Sequence, residues 1–487
     1  MAVTRRFLAW AALPAACLLA ACGSGEPAQP APEITQEDRD YGAEHHPQLL
    51  AEFGGAYSGS QAQYVRSVGE RIAHAAQLDG ECTFTLVNSD VVNAFAVPGC
   101  YIYLTRGLMA VVTSEAELAS VLGHEVGHIV AEHSQRQEQR SVWRKLGVIA
   151  VSLTGSERLT QLAGQAAQYF GLRYSRRQEY QADDLGVGYL RAAGYDVYAA
   201  AEMLADLQRQ ERFMQATNGR DAARSIPEWA LSHPLTENRI ERARETARKT
   251  GLKDDALPEN ADAFLARVDG LLYGDDPEQG FVIGRRFAHP MMRIGFEAPS
   301  GFSLTNSPQA VGLNGPQGLS GEFGGGAIPA GGLKAYAEAL AGKVLGDTPA
   351  QVERAAATRI NGLPAILLEM RVAVRDGSIP LSIAAYDGGG GEAYHFIIVS
   401  PPGDPQAAAV TALFQSFRRL TAQEAATLRP RVIRAVRVGA GDTPDTLVRR
   451  MADPAPRALF ELLNGRDGGR PPSAGELVKI VTYRDAR

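Results

Sequence analysis

The apolar positions of this 487-residue chain change period along its length. Between residues 41 and 77 they recur at three- and four-residue intervals. Tyr64, Val65, Val68, Ile72 and Ala75 share one stripe, which predicts helix. The period then shortens to two. Residues 83–88 (TFTLVN) alternate, 93–97 form a second short apolar run closed by Pro98-Gly99, and 101–105 (YIYLT) form a third. These runs predict a small sheet whose open edge could accept an extended peptide as a further strand. A helix follows, with Ser114 as N-cap and Glu117 completing a capping box. Residues 134–171 are amphipathic and mildly apolar and read as a covering helix, with a surface resting on lipid as the alternative. Residues 175–193 have helical spacing and end at Gly194, a C-cap. Residues 226–233 are irregular and precede another helix opened by Pro234 and Thr236.

The second half has a different character. Residues 254–280 hold a helix bracketed by acidic, proline-containing stretches, which predicts a linker. From residue 281 to 425, strand-like runs at 292–299, 356–371 and 382–400 are separated by glycine clusters such as 388–391. Helical patterns occupy 334–345 and 404–419. Together they predict an α+β domain without a catalytic constellation. After Pro430 the segments 434–438, Gly441-Asp442-Thr443, 462–465 and 475–481 resemble a degenerate LysM-like α+β module, which implies peptidoglycan as a ligand; a packing domain without glycan affinity is the alternative. The expected architecture is multidomain: a mainly α unit with a small edge β-sheet over 41–253, then the linker, the α+β domain and the C-terminal module at 430–487.

Length alone supports several domains. A net charge of −6 and the lack of a basic stripe give no reason to expect nucleic acid. The N-terminus changes the picture more. Arg5 and Arg6 precede a short apolar run at 7–19, and Leu19-Ala20-Ala21-Cys22-Gly23 resembles a bacterial lipobox. That resemblance implies a signal peptide over 1–21, a lipidated Cys22 and, with Gly23 in place of Asp, sorting to the outer membrane. Acyl chains at Cys22 would anchor the protein to the membrane. A plain secretory signal is the alternative. Residues 22–40, rich in Pro, Ala, Gln and acids, read as a flexible tether. In an oxidising compartment Cys82 and Cys100 would either form a disulfide between neighbouring strands or stay as two buried thiols.

The candidate chemistry lies in 118–134 (LASVLGHEVGHIVAEHS). On a helix His124 and His128 stand one turn apart, with Glu125 after the first. Two imidazoles so placed can hold zinc while the carboxylate handles protons. Catalytic zinc takes a third protein ligand. Ala131 and Ser134 stand where an extended H-E-x-x-H-x-x-G-x-x-H motif needs Gly and His. His133 points off the ligand face of a continuous helix, and Glu132 lies roughly 12 Å along its axis from His124. The ligand must therefore come from another element. Glu179 is one candidate among several downstream acids, with Asp183 four residues later on the same face, where it could orient a ligand imidazole.

A resemblance narrows the choice. His124-Glu125-Val126-Gly127-His128 and Ser175-Arg176-Arg177-Gln178-Glu179-Tyr180-Gln181-Ala182-Asp183 resemble the two signatures of the HtpX/BepA-like gluzincin metallopeptidases, which include the CAAX prenyl proteases. Asn93-Ala94-Phe95-Ala96-Val97-Pro98-Gly99, the helical lead-in from Tyr41 and Ser232-His233-Pro234-Leu235-Thr236-Glu237-Asn238-Arg239-Ile240 fit the same family. The likeness covers about residues 40–250. It implies one Zn²⁺ held by His124, His128 and Glu179, with Glu125 as general base and Asp183 and Arg239 bracing the ligands. Asn93, Ala94 and Phe95 would lie on the substrate-binding strand, and His233 would act as transition-state donor or resting lid. Relatives usually carry a second Gly where this chain has Cys100. The implied function is a periplasm-facing endopeptidase of the bacterial cell envelope acting on unfolded or misassembled envelope proteins. A non-catalytic assembly factor built on the same fold is the alternative. Such a scaffold has no need of Glu125.

Overall fold

The computed structural model describes residues 33–133, 174–217, 228–234, 237–374, 377–401, 407–466 and 471–484. Residues 1–21, read as a signal peptide, Cys22, and residues 134–171, read as a covering helix, lie outside the described residues. The chain combines helices with several sheets. Among the described residues no helix is long and apolar enough to cross a membrane.

Residues 36–40, expected to belong to the tether, are helical. Helix α1 begins at Gln36 (Gln36–Glu52), because Thr35 and Asp38 form a reciprocal capping box and Ile34 is already buried. Helix α2 (Ser60–Ala75) buries the stripe read from sequence, including Val65, Val68 and Ile72. The three short runs form β1 (Thr83–Val87), β2 (Ala94–Val97) and β3 (Tyr101–Thr105). Their order is β1-β3-β2, with β3 parallel to β1 and antiparallel to β2, so among the described residues β2 keeps one open edge. Cys82 and Cys100 are joined by a disulfide. Cys100 has a positive φ of 60°, next to Gly99 at 84°, a backbone region that glycine occupies with least cost. The cross-link and the Thr83 N–H, which donates to the Cys100 carbonyl, hold the cysteine there.

Helix α3 (Arg106–Val111) leads into the central helix α4 (Glu115–Val130). Every residue of α4 from Glu115 to His128 is buried, so it is a core helix and not a surface one. Its partner α5 (Arg176–Ala193) crosses it at glycines. A Cβ on Gly123 would meet Gly186 at 3.5 Å, and one on Gly127 would meet the Ala182 carbonyl at 3.0 Å. This close approach brings the metal-binding motif of one helix against the acidic face of the other. Helix α6 (Ala199–Thr217) packs behind α4. The segment expected to be irregular holds a short helix α7 (Glu228–Ser232), followed by α8 (Glu237–Lys249).

The expected linker is not one. Helix α9 (Ala261–Val268) buries Phe264, Leu265 and Val268 in the same core as α2 and α4. Its flanking polar residues bond the first turn of the metal helix: the Glu259 carbonyl accepts from the Ala116 N–H, and the Asn260 amide donates to Glu115. The next strand, β4 (Leu272–Tyr273), pairs with the C-terminal segment.

Between them, residues 281–419 build two antiparallel sheets. The larger has seven strands, flanked by helices Gly332–Leu345 and Ala407–Ser416. The run read as one strand over 356–371 is a hairpin of Ala350–Ile360 and Leu363–Val374. It turns at Asn361-Gly362, both with positive φ, the pairing that a tight two-residue turn requires.

The C-terminal segment runs strand, helix, helix, strand (Arg431–Arg437, Pro444–Val448, Pro456–Leu463, Leu477–Tyr483), with the two strands antiparallel. It is not a separate module, because Ile433, Leu459, Phe460, Leu463, Val478 and Ile480 belong to the core of the first unit. Lys479 seals that junction. It is fully buried, and its ammonium donates to the carbonyls of Ala110, Val111 and Val112 at 2.6, 3.1 and 2.7 Å. These are the terminal carbonyls of α3, which have no partner within the helix. Burial pushes Lys479 down to about 7, although Glu117 opposes the shift.

Candidate metal centre and active site

Helix α4 carries His124 and His128 on one face, as their spacing requires, and α5 carries Glu179 and Asp183 on the opposing face. The donor atoms converge. His124 Nε2 lies 3.0 Å from His128 Nε2 and 3.6 Å from Glu179 Oε2, while His128 Nε2 lies 3.7 Å from Glu179 Oε1. His233 Nδ1 joins them, 3.4 Å from His124 Nε2 and 3.0 Å from Glu179 Oε1. All four donors fall within 4.8 Å of one another and all four residues are buried. Two donors of a tetrahedral ion with bonds of about 2.0–2.1 Å stand about 3.4 Å apart, so the cluster has the dimensions and donor chemistry of a metal site.

Charge within the site is balanced by contact. Arg239, reaching in from α8, bonds Asp183 through two nitrogens at 2.7 and 2.9 Å and lies 2.7 Å from Glu179. Burial raises the Asp183 carboxyl, but Arg239 and His124 outweigh it and hold the group well below its usual range. Glu179 is likewise raised by burial, yet His233 and Arg239 bring it below the ordinary value. Both acids are therefore anionic at neutral pH. His128 is driven well below its ordinary pKa, first by burial and then by His124, His233 and His133, which keeps a lone pair available. His233 goes the other way: burial lowers it, but Glu179 and Glu125 raise it more. His124 Nδ1 lies 3.0 Å from Asp183 Oδ1, the carboxylate contact that orients a ligand ring.

Glu125 points into a cleft beside this cluster. One of its oxygens lies 3.7 Å from His233 Nε2, and the other is buried with no hydrogen-bond partner among the described residues. A buried carboxylate oxygen left unbonded is costly unless something outside the chain completes it. The cleft is lined by Leu49 and Glu52 from α1 and Phe53 at its C-cap, by Phe95, Ala96 and Val97 from β2, and by Tyr174, Ser232 and His233.

Most of the residues named from sequence meet here. His124, Glu125, His128, Glu179, Asp183, His233 and Arg239 form one cluster, and Phe95 reaches the cleft. Asn93 and Ala94 do not line it. Asn93 precedes β2 and is fully buried, and its backbone is tied to Thr105. The strand instead offers Phe95, Ala96 and Val97, a shift along the chain that follows from where β2 pairs with β3.

Sequence reasoning missed Tyr174 and, while rightly leaving His133 out of the donor set, missed its contact with His128. The Tyr174 ring stacks on His128, with ring centroids 3.8 Å apart. Its position just before the Ser175 cap was the only available signal. His133 was turned away from the site by assuming a continuous helix. Helix α4 ends at Val130, and Glu132 adopts a positive φ of 52°, which folds His133 back so that its Nδ1 lies 2.9 Å from His128 Nδ1. A non-glycine residue in that region costs roughly 1–2 kcal/mol, so the surroundings must hold it there.

Comparison with known proteins agrees with this geometry. Residues 59–247 match the family described as Peptidase family M48. The chain is 31% identical over 229 residues to a beta-barrel assembly-enhancing protease of Yersinia pestis, covering 44% of each chain. It is 30% identical over 220 residues to the protein of that name from Escherichia coli (strain K12), covering 43% of each. The mitochondrial metalloendopeptidase OMA1 of Arabidopsis thaliana is 35% identical over 127 residues, 26% of each chain. The aligned part spans less than half of each relative's own length.

Proposed function

We propose that this chain, whose residues 59–247 match peptidase family M48, is a zinc-dependent endopeptidase of the bacterial cell envelope. The observation that carries this reading is the convergence of His124, His128 and Glu179 donors beside a buried Glu125 with one unbonded oxygen. Zinc held by those three residues would supply Lewis acidity toward water and a peptide carbonyl. The chain's own residues do the rest. Glu125 accepts the proton of the attacking water and passes it to the leaving amine, help typically worth about 10²–10⁴-fold. Asp183 orients His124, and Arg239 keeps Asp183 and Glu179 charged and fixed.

His233 has two positions to fill. As found, its Nδ1 completes the donor set, which fits a closed resting arrangement. Displaced by a substrate, its ring would stand at the cleft wall as a donor to the developing oxyanion.

The cleft supports a substrate class. The open edge of β2 can pair with an extended strand, and Leu49, Phe53, Phe95 and Val97 offer apolar contact beside Glu125. Extended segments with exposed apolar side chains are what unfolded or misassembled envelope proteins present, and the names of the relatives fit this assignment. Anchoring through lipidated Cys22, with the body facing the periplasm at the outer membrane, completes the proposal. The strand–helix–helix–strand order of residues 431–483 supports the LysM-like reading of that segment, with peptidoglycan as its ligand.

Incubation of the full-length chain with one polypeptide in reduced-unfolded and native forms tests the function. Cleavage confined to the unfolded form, at sites flanked by bulky apolar residues, is expected. Binding of the unfolded form without a single cut would favour the assembly-factor alternative.

A further inference from the structure

We propose, resting on the zinc-site reading above, that His133 is a positioning residue that fixes the tautomer of the ligand His128 through a relay ending at Gln181. His128 Nε2 faces the donor cluster, 3.0 Å from His124 Nε2, so a metal ligand here must carry its lone pair on that nitrogen. The ring proton then sits on Nδ1, which lies 2.9 Å from His133 Nδ1. Two N–H groups cannot face each other at that distance, so His133 Nδ1 accepts and its own proton sits on Nε2. That nitrogen donates to Gln181 Oε1 at 3.3 Å. One set of proton positions satisfies the whole chain from Gln181 to His128 Nε2.

The backbone is arranged for this contact. Glu132 takes a left-handed conformation at the end of α4, and Gln178, one turn before Gln181 on α5, donates to the His133 carbonyl at 3.4 Å. His133 is fully buried as a result. The two ligand histidines are thus oriented differently, His124 by the Asp183 carboxylate and His128 by a neutral ring. Charge explains the difference. A bound zinc ion would, with Arg239, balance Glu125, Glu179 and Asp183, and a further carboxylate behind His128 would leave uncompensated negative charge in a buried site. An imidazole supplies the acceptor without the charge.

The test compares the full-length chain with His133→Phe, which removes the acceptor, and His133→Asn, whose side-chain oxygen can stand where Nδ1 stood. Zinc affinity is read by competition with a chromophoric chelator, and the cobalt-substituted absorption spectrum reports ligand geometry. Loss of an outer hydrogen-bond partner typically costs 10–100-fold in metal affinity. His133→Phe is expected to fall within that range with an altered cobalt spectrum, and His133→Asn to recover most of both. Zinc binding by His133→Phe as tight as that of the unaltered chain would overturn the relay, as would a His133→Asn no better than His133→Phe. Ring ¹⁵N spectra of the unaltered, zinc-loaded chain keep the question open to test even if a variant fails to fold. His133 protonated on Nε2 and His128 on Nδ1 is expected, and the opposite tautomer on either ring refutes the proposal. Failure of the unaltered chain to bind zinc at all would instead remove the metal-site reading beneath it.

Discussion

Glu125→Gln will bind zinc as the unaltered chain does and will lose cleavage by about 10²–10⁴-fold or more. The expectation follows from the division of labour in the site. Glu125 is not among the four clustered donors, so its replacement leaves them in place. Glutamine keeps the volume of the side chain and one acceptor oxygen near His233, but it cannot take a proton from water at neutral pH. The buried oxygen that lacks a partner becomes an amide, and among the described residues the acid–base groups left at the cleft are Glu52, at the end of α1, and His233, which sits beside Glu179 and not in the place of Glu125. Zinc content by atomic emission and turnover of an unfolded polypeptide are the two readings. Retained turnover in a zinc-loaded variant would show that another group moves the proton.

The second large effect is far from the cleft. Lys479→Ala is expected to destabilise the chain by about 3–5 kcal/mol, because it leaves three buried carbonyls of α3 and its C-cap without a donor and opens a cavity between the C-terminal strand and the core. A fall in Tm of about 3–5 °C corresponds to that loss if the whole chain unfolds together. The pH dependence has a definite sign. The folded pKa of Lys479, about 7, lies below its unfolded value of 10.5, so between these values the unfolded chain binds more protons at this site. Stability from this group therefore rises as pH increases from about 7 to about 10, and the alanine variant loses that rise. Thermal unfolding across this window checks both statements, and an unchanged Tm at pH 7 would contradict the buried anchor.

These two residues mark the limits of what the chain discloses before folding. The H-E-x-x-H spacing was legible because a helix maps sequence distance onto one face, and the small sheet was legible because its strands alternate. Glu179 became specific only through a resemblance, since an acid on a remote helix has no periodic relation to His124. The contact of His133 with His128 was missed for a local reason: α4 stops at Val130 and Glu132 turns left-handed, and a glutamate gives no sign of that conformation. Lys479 sits in an apolar strand run, and its acceptors lie more than 360 residues earlier in the chain. The acidic, proline-containing stretch around 254–260 was read as a boundary from composition, whereas its Glu259 carbonyl and Asn260 amide bond the first turn of the metal helix. The disulfide stayed open until β1 and β3 were seen to run parallel, with Cys82 and Cys100 each directly before its strand.

The central claim is that His124, His128 and Glu179 hold a zinc ion on which peptide hydrolysis depends. Its most direct measurement is hydrolysis of an unfolded polypeptide by the purified full-length chain, stripped of metal by chelation and then titrated with zinc. The account predicts loss of hydrolysis on stripping and full recovery at one zinc per chain. Hydrolysis that persists in the stripped protein, or none at any zinc level in a chain that has bound its ion, would contradict it.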